Sequence, residues 1–156
     1  MVDTTSIGLT GHEYQFPLER GKAREFAQAV KAHDPVYFAV DTPLSHPTFL
    51  ATAGRFWGYT FDTPGDSVFA SVDLDRSLLL HAEEEFVFYG PPPCAGMTLL
   101  AQTKITDVAR KEGRKGGTML FVVTETSYKN EHGDLIAVSR TTVVKTQDSP
   151  NAERRK

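Results

Sequence analysis

The sequence predicts an α+β fold in which a few helices precede a set of long antiparallel strands. Beyond Ser67 come four runs rich in β-branched and aromatic residues, separated by glycine-bearing turns. Before them lie two stretches of helical character, the second too apolar to lie on a surface. A very apolar helix and a strongly twisted sheet are best buried together if the sheet curls around the helix.

The first helix reads from Glu19 to about Ala32, with Ala23, Phe26, Ala27 and Val30 recurring at i, i+3, i+4 and i+7. Lys22, Arg24, Gln28 and Lys31 fill its polar side, and Pro35 requires it to end. The second begins at Ser45 or His46 and runs to about Trp57, with Ser45 as N-cap and Pro47 in the first turn. Phe49, Leu50, Ala53, Phe56 and Trp57 make it apolar, and Gly54 and Gly58 suit close backbone packing. The strands read Glu85 to Tyr89, Thr98 to Val108, Thr118 to Tyr128 and Leu135 to Lys145. The turns Gly113 to Gly117 and Asn130 to Asp134 join antiparallel neighbours. Pro91-Pro92-Pro93 belongs at a strand end or in a loop, because proline cannot donate to a ladder.

The chain of 156 residues is long enough for one domain, expected at 11–145, with a flexible N-terminus at 1–10 and a polar tail at 146–156. Lysine and arginine number 17 against 20 aspartates and glutamates. The resulting charge of −3 argues against a nucleic-acid binder, which needs a basic stripe to displace phosphate counterions. A single cysteine, Cys94, excludes an internal disulfide and cysteine-rich zinc sites. With no secretory pattern at the N-terminus and no run near the ~18 apolar residues of a membrane span, a cytoplasmic location is expected, away from membranes.

No metal or cofactor is expected. His12, His33, His46, His81 and His132 are scattered, and no phosphate loop, dinucleotide fingerprint or nucleophile elbow occurs. Cys94 reads as a buried small residue, and His33-Asp34-Pro35 as a helix end followed by a turn. Glu83-Glu84-Glu85 reads as a solvated start to a strand, and Lys111, Arg114 and Lys115 as a charged hairpin tip. His46-Pro47-Thr48-Phe49 brings backbone N–H groups, a hydroxyl and an imidazole to the start of the apolar helix. Such a terminus either is simply capped or holds an anion or a developing oxyanion.

Tyr14-Gln15-Phe16-Pro17, Ala32-His33-Asp34-Pro35-Val36-Tyr37-Phe38, Pro47-Thr48-Phe49, Glu85-Phe86-Val87-Phe88-Tyr89 and Ala95-Gly96-Met97 occur in a telling order and spacing. Together they resemble the N-terminal-type MaoC-like dehydratase domain, a group that includes the non-catalytic HadA-type subunits of (3R)-hydroxyacyl-ACP dehydratases. The resemblance covers Gly11 to Lys145 and implies the hot dog fold, a curved antiparallel sheet around one central helix, here His46 to Gly58. It also implies hydration of trans-2-enoyl thioesters, or dehydration of (3R)-3-hydroxyacyl thioesters, of coenzyme A or acyl carrier protein. Catalytic members carry Gly-Asp-x-Asn-Pro-(aliphatic)-His, whose Asp and His hold water and shuttle protons. Aligning Asn-Pro on Asp34-Pro35 puts Ala32 at the Asp position and Tyr37 at the His position. Alanine cannot take a proton, and a phenol with an ordinary pKa of about 10 is a poor base at neutral pH. Met97 departs too, since the family often has Asp after Ala-Gly.

The resemblance therefore implies a subunit without catalytic residues of its own. It would shape an acyl-thioester tunnel while a hot-dog partner carrying Asp and His completes a heterodimer or larger assembly. His46, Pro47, Thr48, Phe49, Phe56 and Trp57 are the candidate substrate-binding residues, with Phe61 and Phe69 as further lining. Two alternatives stand beside it. One is a self-sufficient, homomeric hydratase or thioesterase using His46, His81 or Glu85; the other is a non-enzymatic acyl-thioester binding module.

Overall fold

The computed structural model describes residues 3–39, 41–58, 68–69, 79–113 and 117–146. Its regular elements are β1 (Tyr14–Pro17), α1 (Arg20–Ala29), β2 (Leu79–Phe88), β3 (Thr98–Glu112), β4 (Thr118–Lys129) and β5 (Leu135–Thr146). The strands form one curved, wholly antiparallel sheet in the order β1-β3-β4-β5-β2. This is the hot dog architecture that the resemblance implied.

The central helical segment is present but is not a regular α-helix. Pro47–Thr52 winds as a 3-10 helix and Gly54–Gly58 as π-type turns. Proline at the first turn supplies no N–H, and the two glycines have little intrinsic helical preference, so packing sets the winding. Gly58 is there for space: a methyl group on it would stand 2.5 Å from the Tyr14 ring. Phe49, Leu50 and Ala53 are buried against Phe16, Leu99, Ala101, Tyr128 and Ala137 of the sheet. The Tyr128 hydroxyl donates to the Leu50 carbonyl at 3.0 Å and lies 3.3 Å from Ser139 Oγ, which ties segment to sheet. A second cluster joins Val68 and Phe69 to Ile105, Val108, Leu120, Val122 and Val143 on the same face.

α1 is shorter at its C-terminal end than the apolar stripe suggested. Lys31 takes a left-handed φ of 56°, its N–H bonds to Gln28 O at 3.0 Å, and the Ala32 N–H bonds to Ala27 O at 2.9 Å. That pair of bonds is a Schellman ending, here without glycine.

β2 starts at Leu79 instead of Glu85, so the three glutamates lie inside a strand. Their low β propensity hid this, and cross-strand partners compensate it: Glu85 faces Arg140 and Glu84 faces Thr141. Pro91-Pro92-Pro93 follows just beyond β2. The N-terminal stretch expected to be flexible instead runs along β3. Gly8 N–H bonds to Ile105 O at 2.8 Å, Ile105 N–H to Leu9 O at 2.9 Å and Gly11 N–H to Thr103 O at 2.8 Å. β1 pairs only with Thr98 to Ala101, so the exposed edge of β3 needs these further partners. Met1, Val2 and the tail from 147 onward, Phe61, and Arg114 and Lys115 of the basic turn lie outside the described residues. No helix among the described residues is long and apolar enough to cross a membrane.

Candidate functional site

The Schellman ending of α1 leaves Ala32, which the resemblance aligns with the family Asp, half-buried at the helix end. Asp34 then caps the 3-10 turn Pro35–Phe38, its Oδ1 accepting the Val36 N–H at 3.0 Å. Asp34 is thus committed to local structure, and His33 beside it is exposed. Val36 O accepts the Leu44 N–H at 3.1 Å, which brings the chain round to His46. The result is an aromatic cluster: the Tyr37 and His46 rings lie 5.3 Å apart, and Phe26 of α1 lies 6.1 Å from His46 and 5.3 Å from Phe49. Tyr37, which the resemblance aligns with the catalytic His, therefore packs against the head of the central segment.

His46, not Ser45, caps that segment. Its Nδ1 accepts the Thr48 N–H at 3.4 Å and lies 2.8 Å from Thr48 Oγ1. An Nδ1 that accepts from a backbone amide is unprotonated, so the hydroxyl donates to it and the proton of the neutral ring sits on Nε2. The Phe49 N–H is bonded to His46 O at 2.8 Å, and Pro47 has none to give. Of the two readings of this terminus, capped or anion-holding, the geometry matches the capped one, since the amides at Thr48 and Phe49 are already satisfied. What the segment has left for a ligand is the His46 Nε2–H and, as an acceptor, the Thr48 hydroxyl oxygen. Ser45 is pinned by its N–H to Pro93 O at 2.9 Å, and its buried hydroxyl has no hydrogen-bond partner among the described residues.

The expected lining aromatics divide. Phe49 is 2 % exposed and, with Phe16 and Trp57, forms a packed cluster with centroid separations of 5.7, 4.9 and 6.5 Å. Phe69 is buried in the second core cluster, away from the head of the segment. The Phe56 side chain lies outside the described residues. Cys94 is a free, half-buried thiol opposite Leu44 in an isolated bridge. Of the other expected acid–base candidates, Glu85 is occupied by Arg140 at 2.7 Å, whereas His81 Nε2 lies 3.0 Å from Glu84 Oε2. In the sequence Glu84 reads only as part of a solvated strand start, not as a partner for His81. Its pairing depends on a β-bulge between His81 and Glu83, and the chain carries no glycine or proline there to announce one. Among the described residues, no group of three or more His, Cys, Asp or Glu is gathered to hold a metal.

The family model described as "FAS1-like, dehydratase domain region" matches residues 5–139. A protein of Mycobacterium leprae (strain TN), UPF0336 protein ML1908, is 25 % identical over 148 residues, covering 88 % of this chain and 81 % of that protein. Among solved structures, the C-terminally truncated HadBC (3R-hydroxyacyl-ACP dehydratase) complex from Mycobacterium tuberculosis is similar with a TM-score of 0.69 and 26 % identity, over 91 % of this chain and 99 % of that one. The ChsH1–ChsH2 complex from Mycobacterium tuberculosis gives a TM-score of 0.68 over 90 % of this chain and 87 % of that one. Its identity is 12 %, so the likeness there is one of fold.

Proposed function

The chain belongs to the FAS1-like dehydratase-region family of hot dog proteins, and on that premise we propose that it is the non-catalytic half of a (3R)-hydroxyacyl-thioester dehydratase. The observation that carries this reading is the chemistry at the two motif positions. Ala32 has no proton acceptor, and Tyr37 uses its ring to pack on His46. Neither motif position supplies the carboxylate or the imidazole with which the family's catalytic members hydrate a conjugated thioester.

A partner of the same fold would supply both groups. Two further observations support one. β2 is ten residues long and terminal in the sheet, and Leu80 on it and Tyr89 just beyond it are 57 % and 61 % exposed. As a terminal strand β2 presents unpaired backbone groups on one edge, and next to these exposed apolar side chains they form a pairing surface despite its glutamates and bulge. The HadBC and ChsH1–ChsH2 structures are complexes of two kinds of chain. In this reading His46, Pro47, Thr48 and Phe49 at the head of the central segment, with Phe56 and Trp57 further along it, form this subunit's share of the acyl-thioester tunnel. The thioester is carried by coenzyme A or an acyl carrier protein.

The test is hydration of crotonyl-CoA, followed by loss of the conjugated-enone absorbance. The purified chain alone is expected to show no turnover above buffer, while binding the saturated butyryl thioester. Enzyme-like hydration by the chain alone would overturn the proposal.

A further inference from the structure

The face of the sheet that carries the central segment also carries an acid–base pair that the dehydratase reading does not use. In a regular strand, residues three apart point to opposite faces. Between His81 and Glu83 the register shifts: His81 is opposite Val143, Glu83 opposite Thr142 and Glu84 opposite Thr141, with Ala82 the extra residue. The bulge returns His81 and Glu84 to one face, and bulges commonly re-aim side chains near functional sites. That face is the inner one. The row through Glu84 continues across Thr141 and Thr124 to Ile105 of the second core cluster. The neighbouring row runs Phe86, Ser139, Thr126, Thr103.

The geometry is that of a carboxylate-oriented imidazole. Glu84 Oε2 lies 3.0 Å from His81 Nε2 and accepts the Thr141 hydroxyl at 2.8 Å. The Glu84 side chain is 17 % exposed and the His81 side chain 60 % exposed, so the carboxylate is anchored in the sheet while the ring reaches into solvent. With Nε2–H donated to Glu84, Nδ1 is left as the proton acceptor, the division of labour in which a hydrogen-bonded carboxylate, here half-buried, fixes the tautomer of a general base. Glu85, next in sequence, is excluded from this unit. It points to the opposite face, where it joins the row Glu85, Arg140, Glu125, Lys104.

We propose that His81, positioned by Glu84 and Thr141, is a general base for hydrolysis of an acyl thioester bound on this face. The proposal rests on the reading that the chain binds such thioesters. His81 Nδ1 takes a proton from water as the water oxygen bonds to the thioester carbonyl carbon. The carbon–sulfur bond then breaks, and the proton passes from His81 to the leaving thiolate, giving a carboxylic acid and a thiol with no change in oxidation state. His81 is the catalytic residue and Glu84 a positioning residue.

The experiment uses the full chain with butyryl-CoA, reading thiol release with a chromogenic disulfide. Binding of the thioether analogue of butyryl-CoA, which cannot be hydrolysed, is measured by calorimetry. Slow release above buffer is expected, cut at least tenfold by His81→Gln with analogue affinity unchanged. His132→Gln, in the exposed β4–β5 turn, should leave release unchanged. Glu84→Gln should lower kcat without raising KM, and Glu84→Asp should restore part of the loss. Release equal in wild type and His81→Gln, or no release by a chain that binds the analogue, overturns this proposal and leaves the tunnel reading standing. Failure to bind the analogue overturns both.

Discussion

Lys31 sits where helices ordinarily end on glycine, and a β-carbon at a φ of 56° strains the backbone. Replacing it with glycine should stabilise the protein by about 0.5–1 kcal/mol, the relief exceeding the added freedom of the unfolded chain. A denaturant midpoint that falls instead would show that the Lys31 side chain contributes more than its backbone costs. Gly58 is the converse case, since any side chain there meets the Tyr14 ring. Gly58→Ala should cost about 1–3 kcal/mol, and the penalty should shrink in a Tyr14→Ala background, where the space is free. Equal penalties in both backgrounds would mean that the winding of Gly54–Gly58, not the ring, forbids the methyl. These single residues were partly legible. Gly58 could be read as a site of close packing, but nothing in a Lys-Ala dipeptide signals a left-handed turn.

Capping decides where the elements begin. Asp3 caps the 3-10 turn Thr4–Ser6, and its hydrogen bonds from the Thr5 side chain and backbone hold its carboxyl below the ordinary value of 3.8. The folded pKa is therefore the lower one. The cap's contribution is complete above about 3.8 and is lost as pH falls through the folded value. The Thr5 amide, which donates to Asp3 Oδ1 at 2.9 Å, should titrate with a midpoint below 3.8, and a midpoint at or above it would contradict the cap. The strands β4 and β5 were readable to within a residue because β-branched residues are frequent along them, whereas β3 runs four residues past the expected Val108 through the charged Arg110, Lys111 and Glu112. β2 was not, because its acidic residues look like a loop until their cross-strand partners are known. Arg140 is the clearest of those partners: Glu125 and Glu85 on either side raise its pKa above the ordinary value. The central segment was placed correctly by its apolar content. Its 3-10 and π winding was not legible, since the apolar pattern there marks burial and does not distinguish one helical winding from another.

At the scale of the whole molecule, the chain builds the sheet and the central segment, and in the proposed reading it adds the head of an acyl tunnel without an acid or an imidazole at Ala32 and Tyr37. The fold was legible because the order and spacing of several modest motifs together carry the resemblance. The site was legible mainly as absence, at Ala32 and Tyr37, and the way Tyr37, His46 and Phe26 pack together emerged only in three dimensions. An ordinary one-domain length thus serves as half of a working unit in this account. The direct measurement is reconstitution: co-expression with a hot dog chain that carries Gly-Asp-x-Asn-Pro-x-His, followed by crotonyl-CoA hydration by each chain and by the mixture. The account predicts a stable complex whose turnover exceeds the sum of the separate chains and disappears when the partner's motif His is replaced. A complex whose turnover survives that replacement, or a chain that hydrates crotonyl-CoA unaided, would contradict it.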